Sequence, residues 1–308
     1  MIFKEKNEPF DLYTDIVKEL VQQGIAVFFV DKRGYGKSEG IPDFSLTSIQ
    51  DSVRDACAAI KLLERKKEID AQKIGIIGHS EGTIIAPMAK AKGAHVSFIV
   101  LLASSALSGI QASLEQQKIK ITLLRYDCQN LEEVLIKSES ILRMIQECRN
   151  DREALKNLNV KEQALNNSIE DVALNQIGIR SLLDMRKGMV SPHQRSVIAC
   201  DPCVYLQKID VPVLALFAEN DSYLPDYAHK KALIEALKNG SCPDYQVKTI
   251  DGLYRTFNNE YDGLLAHVFV ARKSPLSSYA ASDGDWLVET APWVLSMITK
   301  WIKEKTDA

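Results

Sequence analysis

Gly78-His79-Ser80-Glu81-Gly82 is the segment of this chain whose residue types and spacing point most directly to chemistry. It lies between an apolar run, Lys73-Ile74-Gly75-Ile76-Ile77, and a helical-looking run from Thr83 to Lys90. A Gly-x-Ser-x-Gly between a strand and a helix is a nucleophile elbow: the turn is tight, the flanking glycines make room, and the serine backbone is strained so that its hydroxyl stands at the carboxyl end of a sheet. Average glycine and serine usage gives on the order of a tenth of a chance match in a chain this long. The strand and helix on either side are what set this copy apart. The chemistry implied is acyl transfer through Ser80.

An alkyl hydroxyl attacks an ester only when a base takes its proton, and that base needs an anion to orient it. On turns of this kind the partners follow in the order serine, acid, histidine. Asp221 lies just past the apolar run Val211 to Phe217, which places it on the same sheet edge as Ser80. Glu219 and Asp226 are its rivals, and an N-cap for the next helix is the ordinary alternative role for Asp221. Only His229 and His267 follow Asp221. His229 falls within a helical stretch and reads as a surface residue. His267, between the last strand and the last helix, is the expected base. His79 adjoins the nucleophile but points away from it, and His95 and His193 read as structural or exposed. A tetrahedral intermediate needs N–H donors; the backbone amide of Glu81 is one, and a loop after an earlier strand should supply the other.

These residues need a scaffold. Asp11–Gln23 has helical apolar spacing and ends at Gly24. Ile25–Val30 is a continuous apolar run, the mark of a strand buried on both faces, and leads into the loop Asp31–Gly40. A helix from about Leu46 to Arg65, the elbow strand and helix, and a strand over His95–Leu102 follow. This alternation predicts a mostly parallel sheet with helices on both faces. From 108 to 199 charge rises, glycine is sparse and amphipathic spacing dominates, as in Gln111–Arg125 and Leu131–Glu147. The expected organisation is a core of residues 1–107 and 200–308 interrupted by a helical cap, 108–199, over the mouth of the sheet. The sheet pattern resumes at Val211–Phe217 and Tyr245–Ile250. A last helix covers Val288 to Lys303, with Trp293, Ile298 and Trp301 as core anchors.

Composition excludes other classes. The chain has 308 residues, 46% hydrophobic, with a net charge of −3 and both signs mixed. No nucleic-acid or membrane surface is indicated, and no apolar run reaches the roughly 18 residues of a membrane span. Six cysteines are scattered without zinc spacing. Cys200-Asp201-Pro202-Cys203 has redox spacing but no following strand–helix unit, so free thiols in a reducing compartment are expected. Met1 to Lys6 reads as carrying no signal peptide, and the cytoplasm is the expected location. Nothing calls for a cofactor or metal, or speaks to the number of copies that assemble.

Taken together, Asp31-x-Arg33-Gly34-x-Gly36-x-Ser38-x-Gly40, Gly78-His79-Ser80-Glu81-Gly82 with Ala86-Pro87-Met88, and Val213-Leu214-Ala215-Leu216 leading to Asp221 resemble the bacterial carboxylesterases of the α/β-hydrolase fold. These are relatives of serine aminopeptidase-like and acyl-CoA thioesterase-like hydrolases. The segment from His267 through Pro275 to Leu295 is similar to the family's closing segment, and the likeness is loosest over 110–190. The resemblance implies an α/β-hydrolase fold with a helical lid, a small-molecule ester substrate, Ser80 as nucleophile, Asp221 as acid, His267 as base and Glu81 N–H as one oxyanion donor. It departs in two places. The chain begins about where the family's first surface helix begins, so the central strand that precedes that helix, with its oxyanion loop, is expected to be missing. Ile250 to Phe257 also resembles the stretch that holds the family's histidine, a register in which Arg255 takes the place of the base; the register through His267 treats Asp251–Gly263 as an insertion.

Overall fold

The computed structural model describes residues 12–123, 131–166, 190–221, 226–255, 269–271 and 290–307. Its elements, in order, are α1 (Leu12–Gln22), α2 (Ile49–Glu64), β1 (Gly75–His79), α3 (Gly82–Ala91), β2 (Phe98–Leu102), α4 (Gly109–Leu123), α5 (Leu131–Glu147), α6 (Asp151–Asn166), α7 (Pro192–Ile198), α8 (Cys203–Leu206), β3 (Val213–Asn220), α9 (Asp226–Lys238), β4 (Tyr245–Arg255), β5 (Phe269–Ala271) and α10 (Pro292–Thr306). The strands form one sheet in the order β1-β2-β3-β4-β5. The first four are parallel, and β5 runs antiparallel to β4.

The continuous apolar runs of β2 and β3 are explained by burial on both faces. Alternate residues point to opposite sides of a strand. Ile99, Leu101, Val213, Ala215 and Phe217 join one core beneath α2, α3 and α9. Phe98, Val100, Leu102, Leu214, Leu216 and Ala218 join a second core beneath α1 and α10. In α1, Leu12, Ile16 and Leu20 recur every four residues and are the buried ones. In α10, Ile298 and Trp301 are buried as expected, but Trp293 is 48% exposed: it stands in the first turn, while Val294, Ile298, Trp301 and Ile302 form the stripe that meets the sheet. A third apolar core, which includes Ile110, Val134, Ile141, Ile145, Leu158 and Ile198, holds α4 to α7 together.

The expected strand over Ile25–Val30 does not form. That segment makes no ladder, and Phe28 and Phe29 are 45% and 42% exposed. Among the described residues β1 pairs only with β2, so the run meets no neighbouring strand that would bury both its faces. The loop after it is held by its own motif. Arg33 donates two hydrogen bonds to the Asp55 carboxylate of α2, at 2.8 and 2.5 Å. The Asp31 carboxylate accepts the Lys37 N–H at 2.9 Å, and Gly36, at φ +56, leaves that carboxylate room that a Cβ would fill. α2 starts in a capping box, with Ser48 and Asp51 each satisfying the other's backbone N–H.

Among the described residues no helix is long and apolar enough to cross a membrane, and no group of three His, Cys, Asp or Glu side chains could hold a metal ion. Cys57, Cys148, Cys200, Cys203 and Cys242 are free thiols. Burial, reinforced by Asp201, pushes the Cys200 and Cys203 thiols up to about 11, which keeps both protonated and poor redox nucleophiles at neutral pH.

β1 passes into α3 over a very short path. A Cβ on Gly78 would lie 2.3 Å from the Gly82 carbonyl oxygen, whereas one on Gly82 would meet nothing within 4 Å. Only the first of the two flanking glycines is therefore demanded by packing. Gly78→Ala is expected to destabilise the protein by about 1–3 kcal/mol or more, as overpacking does. Gly82→Ala is expected to change stability by no more than about 1 kcal/mol. Urea midpoints of the two variants check the contrast.

Candidate active site

Ser80 has φ +52, a left-handed conformation that a residue with a Cβ adopts at a cost of about 1–3 kcal/mol. Hydrogen bonds at both its N–H and its carbonyl hold it there. The Ser80 N–H donates to the Leu102 carbonyl at 2.9 Å, extending the β1–β2 ladder by one step. The Thr83 hydroxyl donates to the Ser80 carbonyl at 2.5 Å and accepts the Ser105 N–H at 3.0 Å. Thr83 is fully buried and ties the elbow to the loop after β2. Sequence reasoning passed over it as an ordinary helix residue; its place three residues after the nucleophile was the available signal. The next strand end is bent in the same way, with Ala103 also at φ +52.

The Glu81 amide follows the bend and, among the described residues, donates to no backbone carbonyl outside the helices and strands. The Glu81 side chain is held elsewhere. Its carboxylate lies 2.9 Å from Nε2 of His193, and His193 Nδ1 lies 2.9 Å from the Thr47 carbonyl oxygen. His193 was read as structural or exposed from the sequence; it is largely covered and sits against the elbow. Behind the elbow, the Tyr13 hydroxyl is 2.8 Å from His79 Nδ1, so His79 turns toward α1.

Asp221 is 8% exposed and directly follows β3. Ladder positions His79, Leu102 and Leu216 are level across β1, β2 and β3, so Ser80 and Asp221 both emerge at the carboxyl edge. Glu219 lies inside β3 and Asp226 opens α9. His229 corrects the expectation of a surface histidine: it is 0% exposed, and its Nδ1 accepts the Ala106 N–H at 3.0 Å. α9 lies on the sheet here, and the ring pins the loop after β2. His95 is exposed, as expected. His267, the expected base, lies outside the described residues. Arg255, its rival in the other register, ends β4 opposite Phe269.

The Lys32 ammonium lies 3.7 Å from the centre of the Phe44 ring. Burial lowers its pKa from 10.5 to about 8, partly offset by the Glu81 carboxylate. A groove of about 610 Å³ lined by Phe28, Val30, Ile41, Leu46 and Leu62 lies beside this loop and includes neither Ser80 nor Asp221. Between about 8 and 10.5 the unfolded chain holds a proton on Lys32 that the native chain has released, so this residue makes stability rise with pH across that window. Lys32→Met is therefore expected to be more stable than the wild type at neutral pH, with an advantage that shrinks as pH climbs through the window. Urea unfolding at a series of pH values measures it.

Comparison with known proteins bears on the family and the fold. The family model Hydrolase_4, described as serine aminopeptidase, S33, matches residues 1–169, more than half of the 308 residues. That stretch includes Ser80 and Glu81 but not Asp221 or His267. No curated protein matches the chain. Among solved structures, the chain is similar to the alpha/beta hydrolase GrgF from Penicillium sp. sh18, at 12% identity over 96% of this chain and 85% of that one, with a TM-score of 0.51. It is also similar to DcsB in complex with its substrate analogue, at 15% identity over 96% and 86%, with a TM-score of 0.50. At such identities the likeness is one of fold, and it matches the parallel sheet flanked by helices. The strand–elbow–helix unit around Ser80 and the family match together place this chain in the serine aminopeptidase S33 family of hydrolases, with the α/β-hydrolase fold.

Proposed function

We propose that this protein is a serine hydrolase that cleaves carboxylic esters of small molecules through an acyl-enzyme on Ser80. The observation that carries the reading is the left-handed bend at Ser80, held at the carboxyl edge of the sheet that also bears the buried Asp221. Neighbouring strands lie about 4.8 Å apart, so β1 and β3 run roughly 10 Å apart with β2 between them.

His267 is the proposed base. Residue 267 is two positions before Phe269, which pairs with Arg255 at the end of β4. Tyr254, one residue earlier, is level with Asn220, the neighbour of Asp221. In the proposed reaction His267 takes the Ser80 proton as Oγ attacks the ester carbonyl carbon. The Glu81 N–H stabilises the resulting oxyanion, and His267 returns the proton to the departing alcohol. Water, activated by the same histidine, then releases the acid. No cofactor is required. Residues 108–199 act as a lid that shapes the acyl site. Peptide and thioester cleavage use the same groups.

A second reading, a binding or catalytically impaired relative, is favoured by Gly75, Ile76 and Ile77 of the nucleophile strand being only partly buried. Loss of one oxyanion donor lowers rate by about 10²–10³-fold.

Steady-state hydrolysis of short p-nitrophenyl esters tests the proposal. Ser80→Ala and His267→Ala are expected to lower kcat by at least about 10³-fold, and Asp221→Asn by up to about 10⁴-fold. Arg255→Ala is expected to leave it largely intact. Equal rates in wild type and Ser80→Ala contradict the proposal, and loss of activity in Arg255→Ala with His267→Ala unaffected contradicts the choice of base.

A further inference from the structure

The geometry points to His193 as a positioning residue for the oxyanion donor, acting on the backbone at Glu81 by clamping its side chain. This inference rests on the Ser80 reading above and adds a residue that the elbow motif does not contain.

The imidazole is fixed on three sides. Nδ1 is 2.9 Å from the Thr47 carbonyl oxygen; that oxygen can only accept, so Nδ1 carries a hydrogen. Nε2 is 2.9 Å from the Glu81 carboxylate. One face of the ring lies against Phe44, centre to centre 4.2 Å. The residue is braced from below as well. The Ser196 hydroxyl donates to the His193 carbonyl at 2.6 Å and accepts the Ile49 N–H at 2.8 Å, which joins the first turn of α7 to the first turn of α2.

The Glu81 carboxylate is thus tied to a fixed post. The same carboxylate acts electrostatically on Lys32. The side chains of His193 and Glu81 are only 15% and 27% exposed, so the pair is less weakened by solvent than an exposed one. The Ser80 carbonyl, which shares a peptide plane with the Glu81 N–H, is held too, accepting the Thr83 N–H at 3.0 Å and the Thr83 hydroxyl. With carboxylate and carbonyl both anchored, the Ser80–Glu81 peptide has little freedom to rotate, and its N–H keeps one direction. An oxyanion donor acts only when aimed in advance at the place where charge develops, and small misplacements cost large factors in rate. Because His193 opens α7, whose Ile198 belongs to the helical core of residues 110–198, the clamp also couples that helical unit to the elbow.

The test compares kcat and KM for a p-nitrophenyl ester in wild type, His193→Ala, Glu81→Ala, the double variant and Glu81→Gln, with thermal midpoints measured on each. His193→Ala and Glu81→Ala are expected each to lower kcat about 10-fold with KM changed less than about two-fold, as for an interaction that matters in the transition state. The double variant is expected to be no slower than either single one. Glu81→Gln is expected to recover most of the rate, since its amide can donate to Nε2. Should His193→Ala fail to fold, the Glu81 variants give the same comparison. Unchanged kcat in Glu81→Ala, or losses that add in the double variant and follow the thermal midpoints, overturns the clamp while leaving the hydrolase reading intact. A wild type without esterase turnover overturns both.

Discussion

One backbone torsion organises this molecule. Ser80 is held at φ +52, and such a bend persists only where its surroundings over-determine it. Each restraint comes from a different element. β2 supplies the Leu102 carbonyl, α3 supplies the Thr83 hydroxyl, and Gly78 supplies the clearance that lets strand and helix meet. The two apolar cores on either side of the sheet fix those elements relative to one another. The strain at the elbow is thus balanced by packing spread across the sheet.

The same edge collects the other groups of interest because parallel strands all end on the same side. Asp221 follows β3 for the reason that Ser80 follows β1. The chain between them leaves the sheet after β2 and returns through α7, and at that return His193 meets Glu81. Folding therefore brings a residue from the helical stretch into contact with the elbow, although the two are far apart in sequence.

What could be read from the sequence was what depends on local pattern. The elbow, α1, β2, β3 and the buried face of α10 all follow from spacing and turn residues. What could not be read depended on neighbours. Ile25–Val30 has the composition of a buried strand, but a strand needs a ladder partner, and no periodicity reveals whether one is present. Trp293 is apolar enough for a core and lies off the stripe that meets the sheet. His229 reads as a surface residue yet is buried, because a histidine's role is set by the carbonyls, amides and carboxylates it meets. For His229 these are amides 123 and 122 residues away. The Asp31–Gly40 motif supported a family resemblance; the structure adds its physical content, a loop folded around the Asp31 carboxylate and fastened to Asp55 by Arg33.

The account stands on the hydroxyl of Ser80 being more reactive than any other serine in the chain. Treatment of the intact protein with a fluorophosphonate, followed by peptide mass spectrometry, measures this directly. The predicted result is a single adduct on the peptide that contains Ser80, formed by the native protein and abolished by prior unfolding. No adduct at Ser80, or labelling no faster than in the unfolded chain, would contradict it.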